Sequence, residues 1–66
     1  MNERDTQPYK FVLYMKDGSR ITGGAESKEL CIAHLRHCLL PPDGNDIESA
    51  WYLGRYGNGI PKEVTQ

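Results

Sequence analysis

Only one segment of this sequence has the pattern of an α-helix, which limits how a sheet in the same chain can be covered. Ser27 is a good helix N-cap, and we predict a helix from about Lys28 to Leu39 or Leu40, ended by Pro41-Pro42. At about 100° per residue, one side of this helix is apolar. Its stripe consists of Cys31, Ile32, Leu35, Cys38 and Leu39. A single helix of this kind covers only one face of a sheet.

The segments on either side of this helix have the composition and alternation of β-strands. Residues Tyr9 to Met15 are rich in aromatic and branched apolar side chains, which predicts the first strand. A hairpin turn at 16–19 leads into a return strand that begins at Arg20 and is broken by Gly23-Gly24. A third strand is predicted from Ile47 to about Tyr56. The order of elements is therefore ββαβ.

The length of the hairpin loop determines which side chains share a face of the sheet. A two-residue loop would place Ile21 beside Tyr14, on the opposite face from Leu13. A three-residue loop with Gly18 in the left-handed conformation places Ile21 opposite Leu13 and gathers the apolar residues, so we predict this loop. One face then carries Tyr9, Phe11, Leu13, Met15 and Ile21. The other carries Lys10, Val12, Tyr14, Lys16, Arg20 and Thr22.

These elements predict a small α+β fold, a single-layer antiparallel sheet with one helix packed on one face. A right-handed crossover through the helix places the third strand beside the first, in the sheet order 2-1-3. In the third strand, Ile47, Trp51 and Leu53 are expected to face the helix, and Glu48, Ala50, Tyr52 and Tyr56 to face outward. Residues 9–57 form the single domain, preceded by a flexible leader at 1–8. Residues 58–66 are either a C-terminal tail or a short edge strand.

The small size and balanced charge of the chain restrict its function. It has 66 residues, and eight Lys and Arg against nine Asp and Glu give a net charge of -1. A chain this short buries only about 60% of its unfolded surface, so a partner or a second copy is expected to add stability. Such a core has little room for a catalytic cleft, and no acid/base or nucleophile arrangement has suitable spacing. We therefore predict no enzyme activity and no cofactor.

The cysteine and histidine residues of the helix resemble metal ligands, but their spacing is unsuitable. Cys31 and Cys38 are seven residues apart, about 10.5 Å along a helix, which is too far for a disulfide or for one zinc ion shared with His34. We predict no metal site and two free thiols, in keeping with a reducing cytoplasm. The polar first eight residues are no signal peptide, and the longest apolar run, 11–15, is too short to cross a membrane.

The sheet face away from the helix, here called the outer face, is the best candidate for a functional surface. Tyrosine, arginine and exposed apolar patches are typical of protein-binding sites. We expect the chain to be a binding module that regulates or inhibits a larger protein or nucleoprotein, a format typical of small phage or mobile-element accessory proteins. The predicted partner-binding residues are Lys10, Val12, Tyr14, Lys16, Arg20, Tyr52 and Tyr56.

Two alternative uses of the outer face remain open at the level of sequence. Lysine and arginine interleaved with aromatic rings suit single-stranded nucleic acid, whose bases stack on rings while the cations contact phosphates. The sequence lacks the RNP1-like and GXXG motifs of common RNA-binding sheets and loops. The same face is also a candidate homodimer interface, which would support an undersized core.

Overall fold

The computed structural model describes residues 6–65, so 1–5 of the predicted leader and Gln66 lie outside the described part. The elements are β1 (Tyr9–Met15), β2 (Arg20–Ala25), α1 (Lys28–Cys38), β3 (Ile47–Arg55) and β4 (Lys62–Glu63), with a short 3-10 helix at Asp43–Asp46. The strands form one antiparallel sheet in the order β2-β1-β3-β4. The predicted α+β class and the order 2-1-3 are confirmed, with a fourth strand added beside β3.

The hairpin between β1 and β2 has the predicted three-residue loop. The Met15 N–H donates to the Ser19 carbonyl at 2.8 Å, and the Gly18 N–H donates to the Met15 carbonyl at 3.1 Å. Gly18 has φ 93°, the left-handed conformation that such a loop requires. Leu13 therefore pairs with Ile21, as the hydrophobic pattern predicted.

The prediction that Gly23-Gly24 breaks β2 is wrong, because the strand continues through both glycines to Ala25. Gly23 pairs with Phe11, and a Cβ atom on Gly23 would lie only 2.6 Å from Phe11 Cζ. The missing side chain therefore leaves room for the phenylalanine ring above β2. Here glycine serves close packing within a strand and does not end it.

The helix begins as predicted and ends one turn before the prolines. Ser27 is the N-cap, and its Oγ accepts a hydrogen bond from the Leu30 N–H at 3.2 Å. The apolar stripe faces the sheet: Cys31 and Leu35 are fully buried, while the remaining stripe residues pack around them. The buried core between helix and sheet consists of Phe11, Leu13, Cys31, Leu35, Ile47, Ala50 and Val64.

The predicted faces of β3 are inverted over residues 50–53, which lie between two irregularities in its pairing with β1. Ile47 pairs with Met15, but the next pair joins Ser49 to Tyr14, so Glu48 is an extra residue. Simple alternation from Ile47 would turn Ala50 outward. With the extra residue, Ala50 instead lies beneath the helix. The predictions that Trp51 and Leu53 face the helix, and that Ala50 and Tyr52 face outward, are wrong.

The segment after β3 returns along its edge as β4. Trp51 pairs with Glu63, and the Val64 N–H donates to the Ala50 carbonyl at 2.9 Å. Val64 is 8% exposed and belongs to the core. Of the two alternatives for this segment, a tail or a short edge strand, the edge strand is the one observed.

Candidate functional site

The outer face has an open depression of about 390 Å³ near the middle of the sheet. Its lining combines aliphatic, aromatic and hydroxyl side chains from the two central strands with a proline from the segment before β4. These residues are Val12, Tyr14, Ser49, Trp51, Leu53 and Pro61. The depression is therefore apolar, with few polar groups, the usual character of a site that accepts an apolar side chain.

Val12 lies on the outer face and is nevertheless only 5% exposed. It is separate from the core beneath the helix, and it pairs with Trp51 on the neighbouring strand. Side chains of its own sheet cover it, since α1 packs on the opposite side. Val12 thus forms the floor of the depression.

Trp51 is held in a defined orientation on the outer face. Its indole Nε1 donates a hydrogen bond to Ser49 Oγ at 3.0 Å, two residues earlier on the same side of the strand. This bond satisfies the only polar atom of the ring and leaves its apolar surface for Val12 and the depression. The indole is half-buried, so part of its surface is open to a ligand.

Charge is distributed unevenly around the depression. Lys10 on β1 and Arg20 on β2 both lie on the outer face, with Lys10 between Gly24 and Gly54 and Arg20 beside Tyr14. The opposite edge of the sheet carries Glu63, which pairs with Trp51. Cations therefore lie towards β2 and a carboxylate lies towards β4.

Lys16 does not extend the outer face as predicted. It follows the end of β1, and its N–H donates to the Asp46 carbonyl at 2.9 Å. It lines a second depression together with Met15 and Ile21, which belong to the side of the sheet that carries the helix. Alternation along β1 stops at Met15, so it gives no guide to the position of Lys16.

Tyr52, predicted to lie on the outer face, packs against the core on the helix side. The Lys28 Nζ lies 5.9 Å from the centre of its ring, a cation–π contact with the first residue of α1. Burial raises the pKa of the Tyr52 phenol, and the nearby Cys31, Tyr9 and Glu29 add to the rise. Trp51 takes the outer position that was predicted for Tyr52.

Tyr56 lies beyond β3, in the turn that leads to β4, and is half exposed. Its φ of 59° and the φ of 75° at Gly57 are both positive, and the Asn58 N–H donates to the Arg55 carbonyl at 3.2 Å. This combination indicates a type I′ turn, in which asparagine or glycine is favoured and a bulky residue is strained. The Arg55 guanidinium lies 5.4 Å from the ring centre.

The two cysteines of α1 are packed side chains, whereas His34 and His37 are exposed. Cys31 is completely buried, and Cys38 Sγ lies 3.5 Å from His34 Nε2. Burial raises the pKa of both thiols, and Asp43 adds to the rise at Cys38, so the thiol forms predominate at neutral pH. Both cysteines are free. Within residues 6–65, no group of three or more His, Cys, Asp or Glu side chains is placed to hold a metal ion.

The structure thus brings together only part of the predicted binding surface. Lys10, Val12, Tyr14 and Arg20 share the outer face, whereas the other three predicted residues lie elsewhere. Sequence reasoning missed Ser49, Trp51, Leu53 and Pro61 as parts of this surface. One signal was present in the sequence. Ser49 and Trp51 are two residues apart and so share a face of a strand, where the serine hydroxyl can accept the indole N–H.

Comparison with protein-family models, curated proteins and solved structures finds no match to this chain. Over residues 6–65, no helix has the length and apolar character needed to cross a membrane. The geometry of the outer face therefore provides the main guide to function.

Proposed function

We propose that this chain is a non-enzymatic binding module that docks on another protein with its outer face. The observation that carries the proposal is the apolar depression beside Trp51, with the buried Val12 as its floor. A half-buried indole in a concave apolar setting is typical of the residues that dominate binding energy at protein interfaces. An apolar side chain of the partner would fill the depression.

Charge around the depression favours an acidic partner surface on one side. Lys10 and Arg20 lie towards β2, where carboxylates of a partner would be attracted, while Glu63 on the other side disfavours them. This asymmetry would fix the orientation of the partner. A module of this kind acts by covering a surface of a larger protein, which regulates or inhibits it without a catalytic step.

The test uses the single tryptophan of the chain. Immobilised wild-type protein should retain specific partners that Trp51→Ala does not retain, while Leu40→Ala, an exposed change at the end of the helix, retains them. Circular dichroism checks that each variant is folded. Once a partner is identified, its binding should reduce the quenching of Trp51 fluorescence by acrylamide. Equal retention of the same partners by folded Trp51→Ala protein would contradict the proposal.

A second candidate function, single-stranded nucleic-acid binding, is favoured by one specific observation. Tyr14 and Trp51 lie on the two central strands of a four-stranded sheet, on the same face as Lys10 and Arg20. Aromatic side chains on a sheet of this kind can stack on bases while cations contact phosphates. The aliphatic walls formed by Leu53 and Pro61 favour a protein side chain over a flat base, so this function ranks second.

Fluorescence anisotropy with mixed-sequence oligonucleotides separates the two functions. Nucleic-acid binding predicts a signal at micromolar protein in about 50 mM salt that weakens steeply as salt rises. Trp51→Ala and Lys10→Glu should both abolish it. No anisotropy change under these conditions would exclude this second function and leave the protein-binding proposal intact.

A further inference from the structure

The two edges of the sheet differ in how much backbone they offer to another strand. β4 is an edge of only two residues, Lys62–Glu63, preceded by Pro61, which lacks an N–H. β2 is the outermost strand on the other side and runs for six residues, Arg20–Ala25, in regular register with β1. A long, regular edge strand is a template for a further strand.

Alternation of hydrogen bonds identifies the backbone groups that β2 directs away from the sheet. The bond from the Met15 N–H to the Ser19 carbonyl makes these residues a hydrogen-bonded pair. In an antiparallel ladder every second pair is of this kind, so Ile21, Gly23 and Ala25 are directed towards β1. The N–H and C=O groups of the alternate residues, Arg20, Thr22 and Gly24, are then directed away from β1, at an edge that no strand of residues 6–65 covers.

The same edge exposes an apolar side chain. Ile21 is 50% exposed, although it lies on the side of the sheet that carries the helix and pairs with the buried Leu13. A strand added beside β2 would cover Ile21 on the helix side of the extended sheet. Backbone pairing and apolar burial therefore both favour an occupant at this edge.

We infer that β2 pairs antiparallel with β2 of a second copy of this chain, about a two-fold axis at Gly23. In this register Thr22 lies opposite Gly24 of the second copy, so their outward backbone groups form hydrogen bonds. Ile21 lies opposite Ala25 of the second copy in a closely spaced, non-hydrogen-bonded pair. The two sheets join into one continuous sheet with a helix from each copy on the same side.

Charge complementarity identifies the occupant as a second copy. At a two-fold interface, a contact from one residue to a different residue of the second copy is repeated in the reverse direction. Each such contact therefore occurs twice. The proposed register places Arg20, at the start of β2, opposite Glu26 of the second copy, immediately after the end of β2. Within one chain these residues are six positions apart, about 20 Å along an extended strand, and cannot pair. Only the antiparallel dimer joins them.

A charge swap tests this dimer. Light scattering and sedimentation over a range of concentrations should show wild-type protein at twice its 7.5 kDa mass. Arg20→Glu and Glu26→Arg should each raise the dimer dissociation constant about tenfold, because each creates two like-charge contacts across the axis. The double variant should return to within about twofold of wild type. Lys62→Glu, the same change of charge at the opposite edge, is the matched control and should have no effect.

A second variant addresses the backbone at this edge. Thr22→Pro removes an outward N–H and leaves the β1–β2 hydrogen bonds in place, so the monomer should stay folded while the dimer is lost. Trp51→Ala should leave the dimer unchanged, which separates this interface from the outer face. A dissociation constant above about 1 mM marks very weak association. Protein that stays monomeric at every concentration up to about 1 mM would therefore overturn the inference. A dimer that the double variant fails to restore would overturn it as well.

Discussion

In the middle of β1 both faces of the strand are buried, but by different means. Phe11, Val12 and Leu13 are consecutive, and each is 5% exposed. Phe11 and Leu13 lie beneath α1, whereas Val12 is covered by side chains of its own sheet around an open depression. Neighbouring residues with the same exposed fraction can therefore differ in what covers them. The side of β1 that faces α1 is closed by the helix, whereas the outer side at Val12 borders an open, mainly apolar depression.

The largest expected effect tests the core beneath the helix. Leu35→Ala should lower the free energy of unfolding by about 3 kcal/mol, because Leu35 is fully buried and its truncation leaves a cavity under the helix. Chemical denaturation followed by circular dichroism measures the loss. Leu40→Ala, the same substitution at a residue that is 48% exposed, should cost less than about 1 kcal/mol. Equal losses would show that the helix face is not closed as described.

Local signals explain why the hairpin and the helix were predictable from the sequence. The hairpin depends on the turn at Gly18 and on the apolar pattern of two adjacent strands, and both lie within a few residues. The start of the helix depends on the hydroxyl of Ser27 and its apolar stripe, which the sequence shows directly. These elements fixed Val12 and Tyr14 on the outer face correctly.

The position of the site on β3 depends on interactions that no local pattern reveals. The extra residue at Glu48 arises in the pairing between β3 and β1, more than thirty residues apart in the chain. One added residue exchanges the faces of Trp51 and Tyr52, and with them the centre of the candidate site. A tryptophan and a tyrosine fit either face of a half-buried strand, so composition did not decide between them.

Gly23→Ala tests how tightly the helix face is filled. The added methyl group would lie 2.6 Å from Phe11 Cζ, so the ring must move within a packed core. The expected loss is about 2 kcal/mol of unfolding free energy, typical of overpacking. Pairing this change with Phe11→Leu should cost less than the sum of the two single losses, since the smaller side chain makes room. Strict additivity of the losses would contradict the proposed clash.

Val12→Ala makes the corresponding measurement on the outer face. The expected loss is about 1.5 kcal/mol, from the transfer of two methyl-sized groups, with a small cavity contribution because the depression is already open. Leu13→Ala on the helix face should cost about 3 kcal/mol. A loss at Val12 that reaches the loss at Leu13 would mean that the outer face is as closed as the helix face.

Tyr56→Asn tests the turn between β3 and β4. Tyr56 has φ 59°, and asparagine tolerates this conformation better, so we expect a gain of about 1 kcal/mol in unfolding free energy. Thermal denaturation measures the gain, and Tyr56→Gly provides a second variant that relieves the strain. If both variants are less stable than wild type, the contact between Tyr56 and Arg55 outweighs the backbone strain.

The smallest effect is expected at the hairpin end, where Asp17 accepts hydrogen bonds from the Ser19 N–H at 2.8 Å and the Ser19 Oγ at 2.6 Å. These bonds lower the pKa of the Asp17 carboxyl below its ordinary value of 3.8. The resulting stabilisation is present above that ordinary value and is lost as pH falls through the lower pKa of the folded state. An NMR titration should show the Asp17 pKa rising towards 3.8 in Ser19→Ala protein, and an unchanged pKa would contradict this cause.

The burial of Val64 has a consequence for how the chain reaches its native state. The core between helix and sheet includes this residue, which follows β4 and is bonded to Ala50. During synthesis on a ribosome, β1, β2 and α1 emerge first and cannot complete the hydrophobic interior until residue 64 is free. Completion of this core therefore comes last, after β1, β2 and α1 have already emerged.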